Sequence, residues 1–122
     1  MRILIIEDDP SLLMVFSDTL EDEGHAVTRA LSVADATFEV KSQTFELIIL
    51  DLNLKGECAL EIAALAAKTS PETKVMVVTG YDLNRFEQLC VSPSNVSRVL
   101  RKPIRINELL EAITDVCDEA AA

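Results

Sequence analysis

The stretch Phe45 to Glu57, FELIILDLNLKGE, decides the fold. Within it, Leu47-Ile48-Ile49-Leu50 is an unbroken apolar run of strand length, the pattern of a strand covered on both faces by helices rather than wetted on one. The run ends on a carboxylate, Asp51; Asn53 follows two positions later, and Lys55-Gly56 supplies a turn. In open α/β sheets the crevice that holds the chemistry lies outside the carboxyl ends of the parallel strands. A single aspartate at such a place can equally do no more than cap a turn. Its meaning depends on what else arrives at the same edge.

The rest of the chain repeats the pattern. Ile3 to Ile6 is a second, β-branched-rich apolar run, and it ends on Glu7-Asp8-Asp9. Pro10 suits a first helical position with Asp9 as N-cap; Leu12, Leu13, Phe16 and Leu20 then define the buried stripe of a helix that Gly24 ends. His25 to Ala30 is a short strand. Ser32 caps a helix over 33–41, with an apolar face expected from Val33, Ala36, Phe38 and Val40. After the central strand, Glu57 to Lys68 is expected to be helical, with Leu60, Ala64 and either Ala67 or Leu65 turned inward, until Ser70-Pro71 breaks it. Lys74 to Val78 is a strand that terminates in Thr79-Gly80. Asp82 to Val91 carries Leu83, Phe86, Leu89 and Cys90 at helical spacing, and Val96 to Leu100 is a strand running into Arg101-Lys102-Pro103. Leu109, Leu110, Ile113, Val116 and Cys117 mark the face of a last helix. Five strands alternating with five helices predict right-handed βα units: a doubly wound α/β domain, with a parallel sheet and helices on both faces, spanning 1–122.

Composition narrows the function classes. A chain of 122 residues, 49% apolar and 26% charged, suits one globular domain. No charge-free stretch reaches the 18 or so residues of a membrane span. Glu7 interrupts the first apolar run, which leaves no segment of secretory type, so the expectation is a cytoplasmic protein without a membrane partner. Three cysteines, Cys58, Cys90 and Cys117, are an odd number without metal-ligand spacing and predict no disulfide framework. Eleven Lys plus Arg against 21 Asp plus Glu give a formal charge of −10. Such a surface repels phosphate backbones, and no basic stripe or aromatic platform of the kind that grips nucleic acid offsets it, so nucleic acid is not an expected direct partner.

In a parallel sheet all strand ends of one sense share an edge. Strand 1 ends at Glu7-Asp8, strand 3 at Asp51, strand 4 at Thr79 and strand 5 at Lys102, so three carboxylates, a hydroxyl and an ammonium converge. Three adjacent carboxylates repel one another unless a cation neutralises them. Mg²⁺ suits that role: it is hard, takes oxygen ligands octahedrally and keeps waters for a substrate phosphate. Lys and Thr can hold phosphate oxygens, and an Asp carboxylate can act as a nucleophile toward phosphorus. Gly24, Gly56 and Gly80 are isolated, with no Gly-rich GK[ST] cradle, so ATP is not the expected substrate.

The fragments ILIIEDDP, LIILDLNLKG, VMVVTG and LRKP, with intervals of 43, 28 and 23 residues between Asp8, Asp51, Thr79 and Lys102, closely resemble the receiver domain of two-component response regulators. The resemblance covers essentially the whole chain. It implies a flavodoxin-like (βα)5 sheet with strand order 2-1-3-4-5, and a phosphoryl group passed from a sensor histidine kinase or histidine phosphotransfer protein to Asp51 with Mg²⁺ bound. It further implies Asp8 as a metal ligand, Glu7 as a ligand through water and Asn53 as a ligand through its backbone carbonyl. Thr79 and Lys102 would hold the phosphoryl group, before a cis Pro103. Mg²⁺-dependent self-phosphorylation and autodephosphorylation would be the whole of its enzymatic activity. The acidic pair maps onto Glu7-Asp8 or onto Asp8-Asp9; the former is preferred because four apolar residues precede it directly and Asp9-Pro10 suits a helix start.

Two positions depart from the family's pattern. Val99 stands where an aromatic ring is usual, which predicts that switching passes through the loop after Thr79 and the helix over 82–91. Lys55 stands where proline is usual. The effector would dock on the face made by that helix, the fifth strand and the last helix. With no output domain following, the chain is expected to be either a stand-alone regulator or a receiver excised from a longer protein. A pseudo-receiver that acts only as a protein-binding module and does not signal through phosphorylation is the alternative that Val99 keeps open. A metal-dependent phosphatase of similar fold would need an acid/base Asp two positions after the nucleophile, where this chain has Asn53.

Overall fold

A computed structural model describes the backbone of residues 1–51, 60–79 and 96–121, and the side chains of these except 60, 79, 96, 97 and 117–121. Five strands, β1 (Arg2–Ile6), β2 (Ala26–Ala30), β3 (Leu47–Asp51), β4 (Lys74–Thr79) and β5 (Val96–Arg101), form one parallel sheet in the order β2-β1-β3-β4-β5. The helices α1 (Pro10–Asp22), α2 (Val33–Ser42), α3 (Leu60–Thr69) and α4 (Ile106–Ala121) connect or follow them. The helix expected over 82–91 lies outside the described residues, as do the first residues of the expected third helix.

The sheet is apolar on both faces because both are covered. Leu4, Ile6, Ile48, Leu50, Val75 and Val77 pack with Ala36 and Val40 of α2 and Ile62, Ala63 and Ala66 of α3. On the other face, Ile3, Ile5, Leu47, Ile49, Met76 and Val78 pack with Leu13, Phe16 and Leu20 of α1 and Leu109, Ile113 and Val116 of α4. All five residues of β3 are buried. That is why its sequence is a continuous apolar run instead of an alternating one.

The start of α1 follows the chain's local chemistry. Asp9, in an extended conformation, accepts hydrogen bonds from the Ser11 and Leu12 N–H groups, and Pro10 occupies the first helical position. Gly24 takes φ +95° in the turn that follows, a conformation costly to any residue with a Cβ. Two expected faces are corrected. Phe38, expected in the core, is 67% exposed, while Ala36 and Val40 form the buried contacts of α2. In α3 the inward residues are Ile62, Ala63 and Ala66, with Leu65 partly buried, and Ala64 is exposed. In α4, Leu110 is half-buried beside the buried Leu109.

The order of strands sets the site. The chain steps one way from β1 to β2, crosses back over β1 to β3, and then steps the other way to β4 and β5, so the connections leaving β1 and β3 diverge at the switch point where such sheets open a crevice. Ile6 pairs with Leu50 in the ladder, which makes Glu7 and Asp51 neighbours in the next row. Asp51 pairs in turn with Val78, and Thr79 with Arg101.

Candidate active site at the carboxyl edge of the sheet

Glu7, Asp8 and Asp51 each place a carboxylate oxygen within 4.8 Å of the others. Glu7 is 4% and Asp51 1% exposed, so two of the three charges are nearly cut off from water. Burial of that kind is costly unless partners compensate. Lys102 is one such partner: its Nζ donates to Asp51 Oδ2 at 2.9 Å and to Glu7 Oε2 at 3.3 Å. The Asp9 N–H donates to Glu7 Oε1 at 3.2 Å. The peptide bond between Lys102 and Pro103 is cis, as the family resemblance implies.

One ammonium does not neutralise three carboxylates. Burial pushes the Glu7 carboxyl up to about 7, and the hydrogen bond and negative charge of Asp51 add to this; the Asp9 N–H and Lys102 oppose it without cancelling it. For Lys102 burial is the largest single influence and acts downward, yet the hydrogen bond and charge of Asp51 together with those of Glu7 outweigh it and raise its pKa. The cluster is therefore electron-rich and under-compensated. Two buried carboxylates and a third half-buried one beside them offer hard oxygen donors in the close grouping a divalent cation needs, and the donor set fits Mg²⁺ in particular.

Of the sequence-derived site residues, Glu7, Asp8, Asp51 and Lys102 are brought together. Thr79 ends β4 at the same edge, its side chain outside the described residues; Asn53 and Lys55 also lie outside them. Asp9, the other choice for the acidic pair, is occupied as the cap of α1. Val99 is partly buried, packed on the cluster that includes Val75 and Val77. Not anticipated from sequence was the tie between Lys102 and Glu7, or an apolar cleft beside Lys102 lined by Leu12, Phe16, Val78, Pro103 and Ile104. The i, i+4 pair Leu12 and Phe16 was the available signal for that cleft. His25 sits at the far end of the sheet, its Nδ1 3.2 Å from the Met1 amine, and burial together with that positive charge lowers its pKa. Among the described residues no helix is long and apolar enough to cross a membrane.

Comparison with known proteins places this arrangement. Residues 3–114 match the family model described as the response regulator receiver domain. A receiver domain protein (CheY-like) from Methanospirillum hungatei JF-1 is 30% identical, covers 98% of this chain and 95% of its own, and superposes with a TM-score of 0.86. The response regulator TrrA from Thermotoga maritima, in a complex with Mg²⁺ and BeF, is 25% identical over 94% of this chain and 97% of its own, with a TM-score of 0.80. The receiver protein CpdR of Brucella abortus is 28% identical over 112 residues, 92% of each chain. The transcriptional regulator AlgB of Pseudomonas syringae is 36% identical over 80 residues, which are 66% of this chain and 18% of that protein. The chain thus spans a small part of AlgB and nearly all of CpdR.

Proposed function

The chain belongs to the family of response regulator receiver domains, which signal by phosphorylation of an aspartate, and from that premise we propose that Asp51 is its phosphoacceptor. The observation that carries the proposal is the convergence of Glu7, Asp8 and Asp51 within 4.8 Å, with Lys102 bonded to two of them. Asp8 and Asp51, Glu7 through water and the Asn53 carbonyl are the proposed donors to Mg²⁺, which when bound supplies the positive charge that three carboxylates and a phosphoryl group require. Lys102 bonds Oδ2 of Asp51, and the Asp51 carboxylate is the nucleophile toward phosphorus. As the Asp51 O–P bond forms, the P–N bond of a phosphohistidine, or the P–O bond of a small acyl phosphate, breaks and its electron pair leaves with the imidazole or carboxylate. The Thr79 hydroxyl and the Lys102 ammonium then hold the transferred oxygens. Attack of water on the acyl phosphate reverses the state without an external phosphatase.

The proposed donor is a sensor histidine kinase or histidine phosphotransfer protein. The proposed output is a protein effector recognising the face of residues 82–91, β5 and α4. We take residues 1–122 as a single receiver domain acting as this module. A protein-binding module indifferent to phosphorylation is the second reading, favoured by Val99 packing where an aromatic ring would swing. The two are separated by incubating the chain with acetyl phosphate and following intact mass. One phosphoryl group that requires Mg²⁺ and is absent from D51N supports the first; no adduct on the native chain, or an equal one on D51N, supports the second.

A further inference from the structure

The chain's charge is distributed unevenly. Against a formal total of −10, residues 96–107 carry four cations, Arg98, Arg101, Lys102 and Arg105, and no acid. Two of the four are spoken for. Arg98 pairs with Asp115 of α4 at 3.1 Å, and Lys102 with Asp51 and Glu7. Arg101 and Arg105 are exposed, and neither makes an ion pair with a described residue. Both flank Lys102. Arg101 pairs with Thr79 in the β4–β5 ladder, while Asp51 pairs with Val78 one row behind. With strands spaced about 4.8 Å, the Arg101 backbone lies about 10 Å from that of Asp51 along the carboxyl edge. Arg105 lies three residues beyond Lys102, at the entry to α4.

An acidic protein whose acceptor carboxylate sits among other carboxylates repels the phosphoryl donors it must react with, since those donors are themselves anions. Resting on the assignment of Asp51 as phosphoacceptor, we propose that Arg101 and Arg105 form a cationic rim that draws the anionic phosphodonor to Asp51. They act before the chemical step, by raising the local concentration of the donor at the edge of the sheet. They are steering residues, distinct from Lys102, which touches the reacting carboxylate. Taking for both charges the roughly 10 Å that separates the Arg101 and Asp51 backbones, two unit charges acting on a dianion in water change its local concentration by about seven-fold at 0.01 M ionic strength and about two-fold at 0.15 M.

The experiment measures the second-order rate of Asp51 phosphorylation, at saturating Mg²⁺ and across this range of ionic strength, for the native chain, R101A/R105A and R101K/R105K. Acetyl phosphate serves as a dianionic donor and phosphoramidate as a monoanionic one. The double Ala variant should be slower by about seven-fold with acetyl phosphate at 0.01 M, and by about three-fold with phosphoramidate, with the gap closing as salt is added. The Lys variant, which keeps both charges, should match the native chain. Mg²⁺ should bind the Ala variant more tightly, because the same field that attracts an anion repels a cation; a distorted site would weaken it instead. An unchanged rate in the Ala variant at low salt, a deficit that ignores salt, or a Lys variant as slow as the Ala variant overturns the inference while leaving Asp51 as acceptor. Failure of the native chain to be phosphorylated at all overturns both.

Discussion

Replacing Glu7 by glutamine should stabilise the metal-free protein, and by an amount that depends on pH in a defined direction. The Glu7 carboxyl is raised from 4.5 to about 7 in the folded chain, by burial first and by Asp51 second. The folded state therefore holds a proton that the unfolded state releases. This contribution to stability is fully present below about 4.5 and is lost as pH rises through about 7. The shift alone corresponds to about 3 kcal/mol. Water on the open side of the cluster, where Asp8 is half-buried, screens the charge, which reduces the expected effect to about 1–2 kcal/mol. The glutamine side chain would keep the hydrogen bond from the Asp9 N–H through its carbonyl oxygen and would place its amide where Oε2 now accepts from Lys102 at 3.3 Å, turned toward Asp51. Lys102 keeps its shorter bond to Asp51, and the substitution removes a charge without opening a cavity. In urea with EDTA, E7Q and the native chain should unfold at similar concentrations at pH 5. At pH 8 the variant should be the more stable, by about 0.5–1 M in midpoint. A variant of equal or lower stability at pH 8, or a difference that does not grow with pH, would refute the electrostatic account of this cluster.

Lys102→Ala removes the cation from two buried carboxylates and should cost about 1–3 kcal/mol at pH 8 without metal, a loss largely restored by millimolar Mg²⁺ and checked by paired urea melts. Calorimetric titration should show Mg²⁺ affinity falling as pH is lowered through about 7, with proton release on binding, since a protonated Glu7 has one lone pair fewer to offer. Phe38→Ser, at 67% exposure, should change stability by less than about 0.5 kcal/mol, whereas Ile48→Ala, at 1%, should cost about 2–5 kcal/mol in the same assay.

The strands and the site were legible because each depends on short-range signals that the fold leaves intact. Ile3 to Ile6 and Leu47 to Leu50 are covered on both faces, so burial writes itself into consecutive residues, and the carboxylates lie where those runs stop. Asp9-Pro10 announced a helix start because capping is a local bond. The helical faces were less legible. Alanine fits a core and a surface equally well, so the Ala-rich α3 carries little information on its rotation, and Ala64 was expected inward where Ile62 is the residue buried. Phe38 was expected inward because aromatic area usually seeks the core, but it faces away from the contacts that Ala36 and Val40 make with the sheet. The protonation state of Glu7 depends on how deeply β1 is buried and on which oxygen Lys102 reaches across 95 residues of chain, and no local pattern encodes either.

The central claim, that Asp51 takes the phosphoryl group, is met most directly by locating the modified residue. After incubation with acetyl phosphate and Mg²⁺, borohydride reduces an acyl phosphate to the alcohol, and peptide sequencing by mass then identifies the position. Homoserine at 51, absent when Mg²⁺ is withheld, is the predicted result. Reduction at position 7 or 8 with Asp51 intact, or at no carboxylate in the chain, would contradict it.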